Sequence, residues 1–202
     1  MRQDHEKTRG RVRASRGRAP VPPVWLMTDE RIARADLLCA AARLPRGSAI
    51  VVRHYGLDDT ARRALFDRLQ TIARRRRCLI LLAGDPAQAH DWGADGHHGR
   101  APASARTSRT GRRWLHSAPA HDAVELAAAH AAGAGIALLS PLFATRSHPG
   151  ATPLGPARFA ALARRAPMPV IALGGVRPRH ARLVRRLGAA GFAAIDGLSG
   201  RR

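Results

Sequence analysis

The sequence predicts an α/β fold, a compact (β/α)8 TIM barrel with one or more shortened helices. Three observations carry that expectation. Short, near-continuous apolar runs, the mark of strands buried on both faces, recur along the chain. Longer amphipathic stretches alternate with them, as parallel strands joined by crossover helices require. Polar residues gather just after the apolar runs, where a barrel of this kind carries its chemistry.

The runs are VWLMT (24–28), AIVV (49–52), CLILLA (78–83), a weak DGHH (95–98), WLHSA (114–118), IALLS (136–140), PVIAL (169–173) and FAAI (192–195). Between most of them lie RIARADLLCAAARL, LDDTARRALFDRLQTIARR, HDAVELAAAHAAG, GPARFAALARRA and RPRHARLVRRLG. Several of these helical stretches close on Gly, which C-caps prefer. Eight units favour a closed barrel over an open doubly wound sheet. Residues 21–202, expected as a single domain, fall short of the ~250 usual for the fold, so some helices must be short. Gly99 to Arg113, rich in Gly, Ser and Thr, is where a helix is expected to be lost.

Met1 to Pro20 is polar, basic and without periodicity, and reads as a disordered tail. No run approaches the ~20 apolar residues of a membrane span. No apolar segment follows the N-terminal arginine, so a cytoplasmic protein is expected. Cys39 and Cys78 have no metal or redox spacing and read as buried free thiols. The net charge of +21 invites a nucleic-acid partner. Yet only Lys7 among the 35 basic residues is a lysine, a bias that GC-rich codons produce by themselves, and aromatics make up 4%. Nucleic acid is therefore not expected. The run RRRR (74–77) ends a helix on the barrel's far side, where the helix dipole accepts it.

The residues that follow the runs form the candidate active face. They begin with Thr28, Asp29, Arg53, His54, Tyr55, Gly84 and Asp85. After the central runs come His97, His98, Gly99, Pro119 and His121, then Ser140 through His148. Gly174 and Gly175 follow the seventh run, Asp196 and Gly197 the eighth. Paired glycines let backbone N–H groups approach an anion closely, and barrels bind phosphate in the loops after strands 7 and 8. The loop SPLFATRSHPG adds Thr145, Arg146, Ser147 and His148 as donors. His97 and His98 must leave opposite faces of one strand. His121 is placed for proton transfer or, alternatively, to cap the helix that HDAVEL begins.

In chain order these stretches resemble the thiamine phosphate synthase/TenI superfamily. WLMTD resembles its YLVTD, GADGHHG its GADGVHLGQ, and PAHDAVELAAAHAAGAG its S-x-H-x-x-x-E…GAD segment. SPLFATRSHPGATPLG resembles GPIFPTxTK…LG, PVIALGGV resembles PVVAIGGI, and LGAAGFAAIDGL resembles GADGVAVISAI. The resemblance implies a thiamine-biosynthesis barrel that binds a thiazole phosphate and couples it to hydroxymethylpyrimidine pyrophosphate, releasing pyrophosphate with Mg2+. It makes Arg53 and His121 catalytic. Thr145, Arg146, Ser147, His148, Gly174, Gly175, Asp196 and Gly197 become the phosphate and substrate contacts.

The departures bear on the coupling step. Tyr55 stands for the family's Lys after strand 2, and Ala83 and Gly84 for its Asn and first Asp, leaving Asp85 as a weak metal candidate. Arg100 and Pro102 replace Gln and the second Asp, His148 replaces a Lys, and Asp196 replaces a Ser. Mg2+ is thereby put in question, and no organic cofactor is expected. Two alternatives stand beside coupling: a TenI-like thiazole tautomerase working through His121, and a non-catalytic phosphate-ligand binding barrel.

Overall fold

The computed structural model describes residues 20–102, 107–109, 111–146, 150 and 152–199. Apart from Pro20, the expected tail lies outside these, as do Ser147 and His148. Eight parallel strands close on themselves in chain order. They are β1 (Val24–Met27), β2 (Ala49–Val52), β3 (Leu79–Ala83), β4 (Gly96–His98), β5 (Leu115–Ala120), β6 (Ile136–Leu139), β7 (Val170–Ala172) and β8 (Gly191–Ala194). β8 pairs back to β1 with Phe192 opposite Val24. β2, β4, β6, β7 and β8 are buried along their whole length, which is why all of these except the Gly-His-His of β4 read as unbroken apolar runs.

Each run lands on its strand within two residues, the largest shift being β5, which continues through Pro119 to Ala120. The crossover helices are α1 (Arg34–Arg43), α2 (Asp59–Arg76), α3 (Pro86–Asp91), α4 (Ala123–Ala131), α5 (Gly155–Arg165) and α6 (Ala181–Arg186), with α7 (Asp196–Ser199) after β8. α3 is a helix the sequence reading did not mark. It spans six residues, opens on Pro86 and is capped by the Asp85 carboxylate, which accepts from Ala87 N–H at 2.9 Å. α1 buries Leu37, Ala40 and Ala41. Cys39 therefore faces solvent, correcting the expectation that both thiols are buried, whereas Cys78 is buried and burial pushes its thiol upward. No helix among the described residues is long and apolar enough to cross a membrane.

Between β4 and β5 the described residues form no helix, only a bridge between Thr107 and Arg113. A polar-aromatic pad stands in its place. Trp114 Nε1 donates to His97 Nδ1 at 3.1 Å, and His97 stacks on His116 with ring centroids 4.1 Å apart. His97 Nε2 meets Ala101 O and His116 Nε2 meets Gly99 O, both at 3.0 Å. His98 leaves the opposite face of β4, as its adjacency to His97 demands, and its Nδ1 lies 3.1 Å from Ser117 Oγ.

Burial pulls His98 down to about 3. It stays neutral in the fold but charges in the unfolded chain below the ordinary value of about 6.5. Stability is complete above that value and falls with pH at about 1.4 kcal/mol per pH unit for one such group. Burial lowers His54, His97 and His116 in the same sense. Urea melts between neutral pH and pH 4 should thus be steeply pH-dependent, and His98→Gln should flatten part of the slope. An unchanged slope in that variant would assign the acid sensitivity to other groups.

Candidate active site

At the C-terminal ends of the strands lies a cavity of about 230 Å3. The predicted catalytic and phosphate contacts within the described chain all line it, whereas Asp85 is committed to the α3 cap and the other strand-end residues, among them Thr28, Asp29, His54 and Tyr55, are not in its lining. Arg53 after β2, His121 after β5, and Ser140, Thr145 and Arg146 after β6 line it. Gly174 and Gly175 join them, with Asp196 and Gly197.

The paired glycines are required on two counts. Both have left-handed backbones, at φ 90° and 64°. A Cβ on Gly174 would sit 2.6 Å from Pro141, and one on Gly175 would sit 2.5 Å from Ala144 O. The β6–α5 loop lies directly against this turn, with Leu142 N–H donating to Leu173 O at 2.8 Å and Phe143 N–H to Gly174 O at 3.0 Å. Turn and loop are thus one rigid unit that carries Thr145 and Arg146. Gly197 is needed for close approach, since its Cβ would be 2.8 Å from Val176 O.

Arg53 is held from several sides. Its Nε donates to Thr28 O at 2.8 Å, its Nη2 meets Asp29 Oδ2 at 2.6 Å, and its backbone N–H donates to Thr28 Oγ1 at 2.9 Å. Thr28 Oγ1 is also bonded to His54 Nδ1, and His54 has a left-handed backbone at φ 42°. Beneath Arg53 lies Arg62, a buried side chain of α2 that sequence reading missed. Its guanidinium donates to Arg53 O at 2.8 Å and to Ala83 O at 2.5 Å, tying the ends of β2 and β3 together. A cation midway along a helix gives no sign that it faces inward.

His121 is not the helix cap. Asp122 caps α4 by accepting from Glu125 N–H at 2.8 Å, and Glu125 reaches back to His121. Glu125 Oε2 accepts from the His121 backbone N–H at 2.8 Å and lies 2.7 Å from Nδ1, while Arg100 holds Oε1 at 2.6 Å. Burial pulls Glu125 up, but hydrogen bonds from Arg100 and His121 outweigh it and hold the carboxyl below its usual range. An ionised carboxylate only accepts, so Nδ1 of this cavity-lining histidine is the donor and its Nε2 is the ring nitrogen left free of Glu125.

The other acids of the mouth are likewise engaged. Asp29 is raised by burial but lowered more by Arg31 and Arg53. Asp196 meets Arg146 at 3.1 Å and Arg31 at 4.0 Å, so its carboxylate serves two cations. Arg177, which follows the glycine pair directly, also lines the cavity and was missed because it had been read as the start of a helix. Among the described residues no three His, Cys, Asp or Glu side chains are grouped to hold a metal.

The geometry has close counterparts. The family model for thiamine monophosphate synthase matches residues 24–198. The thiamine-phosphate synthase of Chlorobium limicola is 28% identical over 183 residues, covering 88% of this chain and 86% of that one. That of Salinispora arenicola is 32% identical over 186 residues, covering 86% and 88%. Among solved structures, thiamine phosphate pyrophosphorylase from Pyrococcus furiosus superposes with a TM-score of 0.71 at 20% identity, covering 90% and 89%, a likeness of fold. 3-Hexulose-6-phosphate synthase shares the barrel at a TM-score of 0.60 and 14% identity, covering 86% and 90%. With a match from first strand to last and relatives at this identity, the chain belongs to the thiamine monophosphate synthase family and is thiamine phosphate synthase-like.

Proposed function

We propose that this cavity binds a thiazole phosphate and couples it to hydroxymethylpyrimidine pyrophosphate in the cytoplasm. The observation that carries this reading is the convergence of Arg53, Arg146 and Arg177 with the Gly174–Gly175 turn on one cavity. The thiazole phosphate would lie against the turn, held by backbone N–H groups and by Thr145. In the reaction the bond from the pyrimidine methylene carbon to the diphosphate oxygen breaks, and its electron pair leaves with pyrophosphate. The thiazole nitrogen then supplies the pair for the new C–N bond. Charge growing on the leaving group must be met by fixed cations, and guanidiniums do so as bidentate donors.

A protein-held Mg2+ does not fit these residues. It asks for oxygens in octahedral array. Asp29, Asp196 and Glu125 are each paired with arginine, and Asp85 caps a helix. Pyrophosphate release by the purified protein, given both substrates with Mg2+ and in EDTA, tests the reading. Thiamine phosphate formed in both would support it, and formation only with Mg2+ would contradict the arginine assignment.

The His121–Glu125 pair favours a second reading, in which Nε2 shuttles a proton between ring positions of a thiazole carboxylate phosphate. Isomerisation should then persist in EDTA and fall about 10^2–10^4-fold in His121→Ala. Glu125→Gln should lower kcat and shift the pH profile, because the amide no longer fixes the ring's proton on Nδ1. Full isomerase activity in His121→Ala, or none in the wild type, rules this reading out. A thiazole phosphate that binds with neither reaction would leave a binding barrel.

A further inference from the structure

We propose that the pole of the barrel opposite the cavity is a docking surface for the phosphate backbone of nucleic acid. In a parallel barrel all the crossover helices return towards the strand starts, so helix C-termini share that pole. α1 ends on Arg43, with Arg46 just beyond, and α2 ends in the arginine run 74–77. These two ends make one patch, because Arg76 Nη2 donates to Leu44 O at 2.7 Å and Gly47 N–H donates to Arg77 O at 3.1 Å. α5 ends on Arg164 and Arg165 and α6 on Arg185 and Arg186, with Arg164 Nη2 3.4 Å from Arg186 O.

Closure in the order β7, β8, β1, β2, β3 places these patches on either side of the start of β1. The chain enters there, where Pro23 O accepts from Phe192 N–H at 3.0 Å.

Codon bias would spread arginine evenly, and the helix dipole would favour a cation at every helix end. Neither predicts this arc. α3 and α4 close on His90 and His130 and carry no arginine in their last turns. At the mouth Arg31, Arg53, Arg100 and Arg146 all meet carboxylates. Among the described residues no ion pair involves an arginine of the arc.

Unpaired guanidinium forks match phosphate oxygens in geometry and charge. The exposed large apolar residues among those described are Tyr55 and Val124 at the mouth and Leu183 on α6. Among the described residues the arc's helices thus carry one exposed large apolar side chain, Leu183, and no exposed aromatic ring, so the contact is with backbone and without sequence preference.

The test is fluorescence anisotropy of a short mixed-sequence DNA duplex with the full-length protein across a salt series. Anionic phosphatidylserine vesicles and two quadruple variants run in parallel. The first variant changes Arg43, Arg46, Arg74 and Arg75 to Gln. The second changes Arg34, Arg68, Arg158 and Arg179, exposed arginines away from the arc.

The expected result is a fall of about 3–4 in the slope of log K against log salt for the first variant, at ~0.9 per phosphate contact. The second variant should keep the wild-type slope, and both should bind thiazole phosphate as the wild type does. No duplex binding at low salt, equal losses in both variants, or tighter binding to vesicles than to duplex would each overturn the proposal.

Discussion

Gly174→Ala is expected to abolish tight binding of thiazole phosphate and to destabilise the barrel by roughly 2–4 kcal/mol, combining left-handed strain with overpacking. The added methyl would meet the backbone of Pro141 at 2.6 Å and Leu142 N at 3.2 Å, neither a flexible side-chain end. Relief requires the β6–α5 loop to move, and that loop brings Thr145 and Arg146 to the cavity. Gly133→Ala is the control, with φ 82° but nothing within 4 Å of its Cβ. It should cost only about 1 kcal/mol from backbone strain and leave binding intact. Calorimetric titration together with thermal melts reads both effects. Wild-type affinity in Gly174→Ala would refute the placement of phosphate at this turn.

Arg62→Met should cost roughly 2–5 kcal/mol, because the buried Ala83 carbonyl and the half-buried Arg53 carbonyl lose their donor at about 1–3 kcal/mol each. In a chain of this size that lowers the melting temperature by roughly 5–15 °C. The methionine keeps the apolar stem, so the loss reports the guanidinium fork that spans Arg53 O and Ala83 O. Arg62→Lys should rescue little, since a single ammonium cannot reproduce the planar fork. The variant should also weaken ligand binding, because the ends of β2 and β3 set the position of Arg53. A melt unchanged from the wild type would show that neighbouring groups satisfy both carbonyls.

The glycine pair and the arginine after β2 were legible because their meaning is local. A doublet of glycines at the end of an apolar run must turn, and a polar residue just past a strand must face the mouth. Asp196 is different. From sequence it is a carboxylate misplaced beside a phosphate, and only the fold shows that it holds Arg146 and Arg31. The absence of a helix after β4 among the described residues agrees with the expectation for Gly99–Arg113, whereas the His97–His116–Trp114 pad was not foreseen. Those rings are neighbours through the pairing of β4 with β5, which no spacing along the chain announces.

The sequence by itself determined the barrel, its strand order and the loops that carry the site. Burial on both faces imposes unbroken apolar runs, and parallel strands impose helices between them. Tertiary structure alone decided which charges act together. Arg53 with Asp29, Arg62 with Ala83 and Arg146 with Asp196 are brought together by strand pairing and barrel closure. The same closure makes one arc from arginines on four separate helices. Charge acts through space over a few ångströms, so its consequences depend on distances that only a closed fold defines.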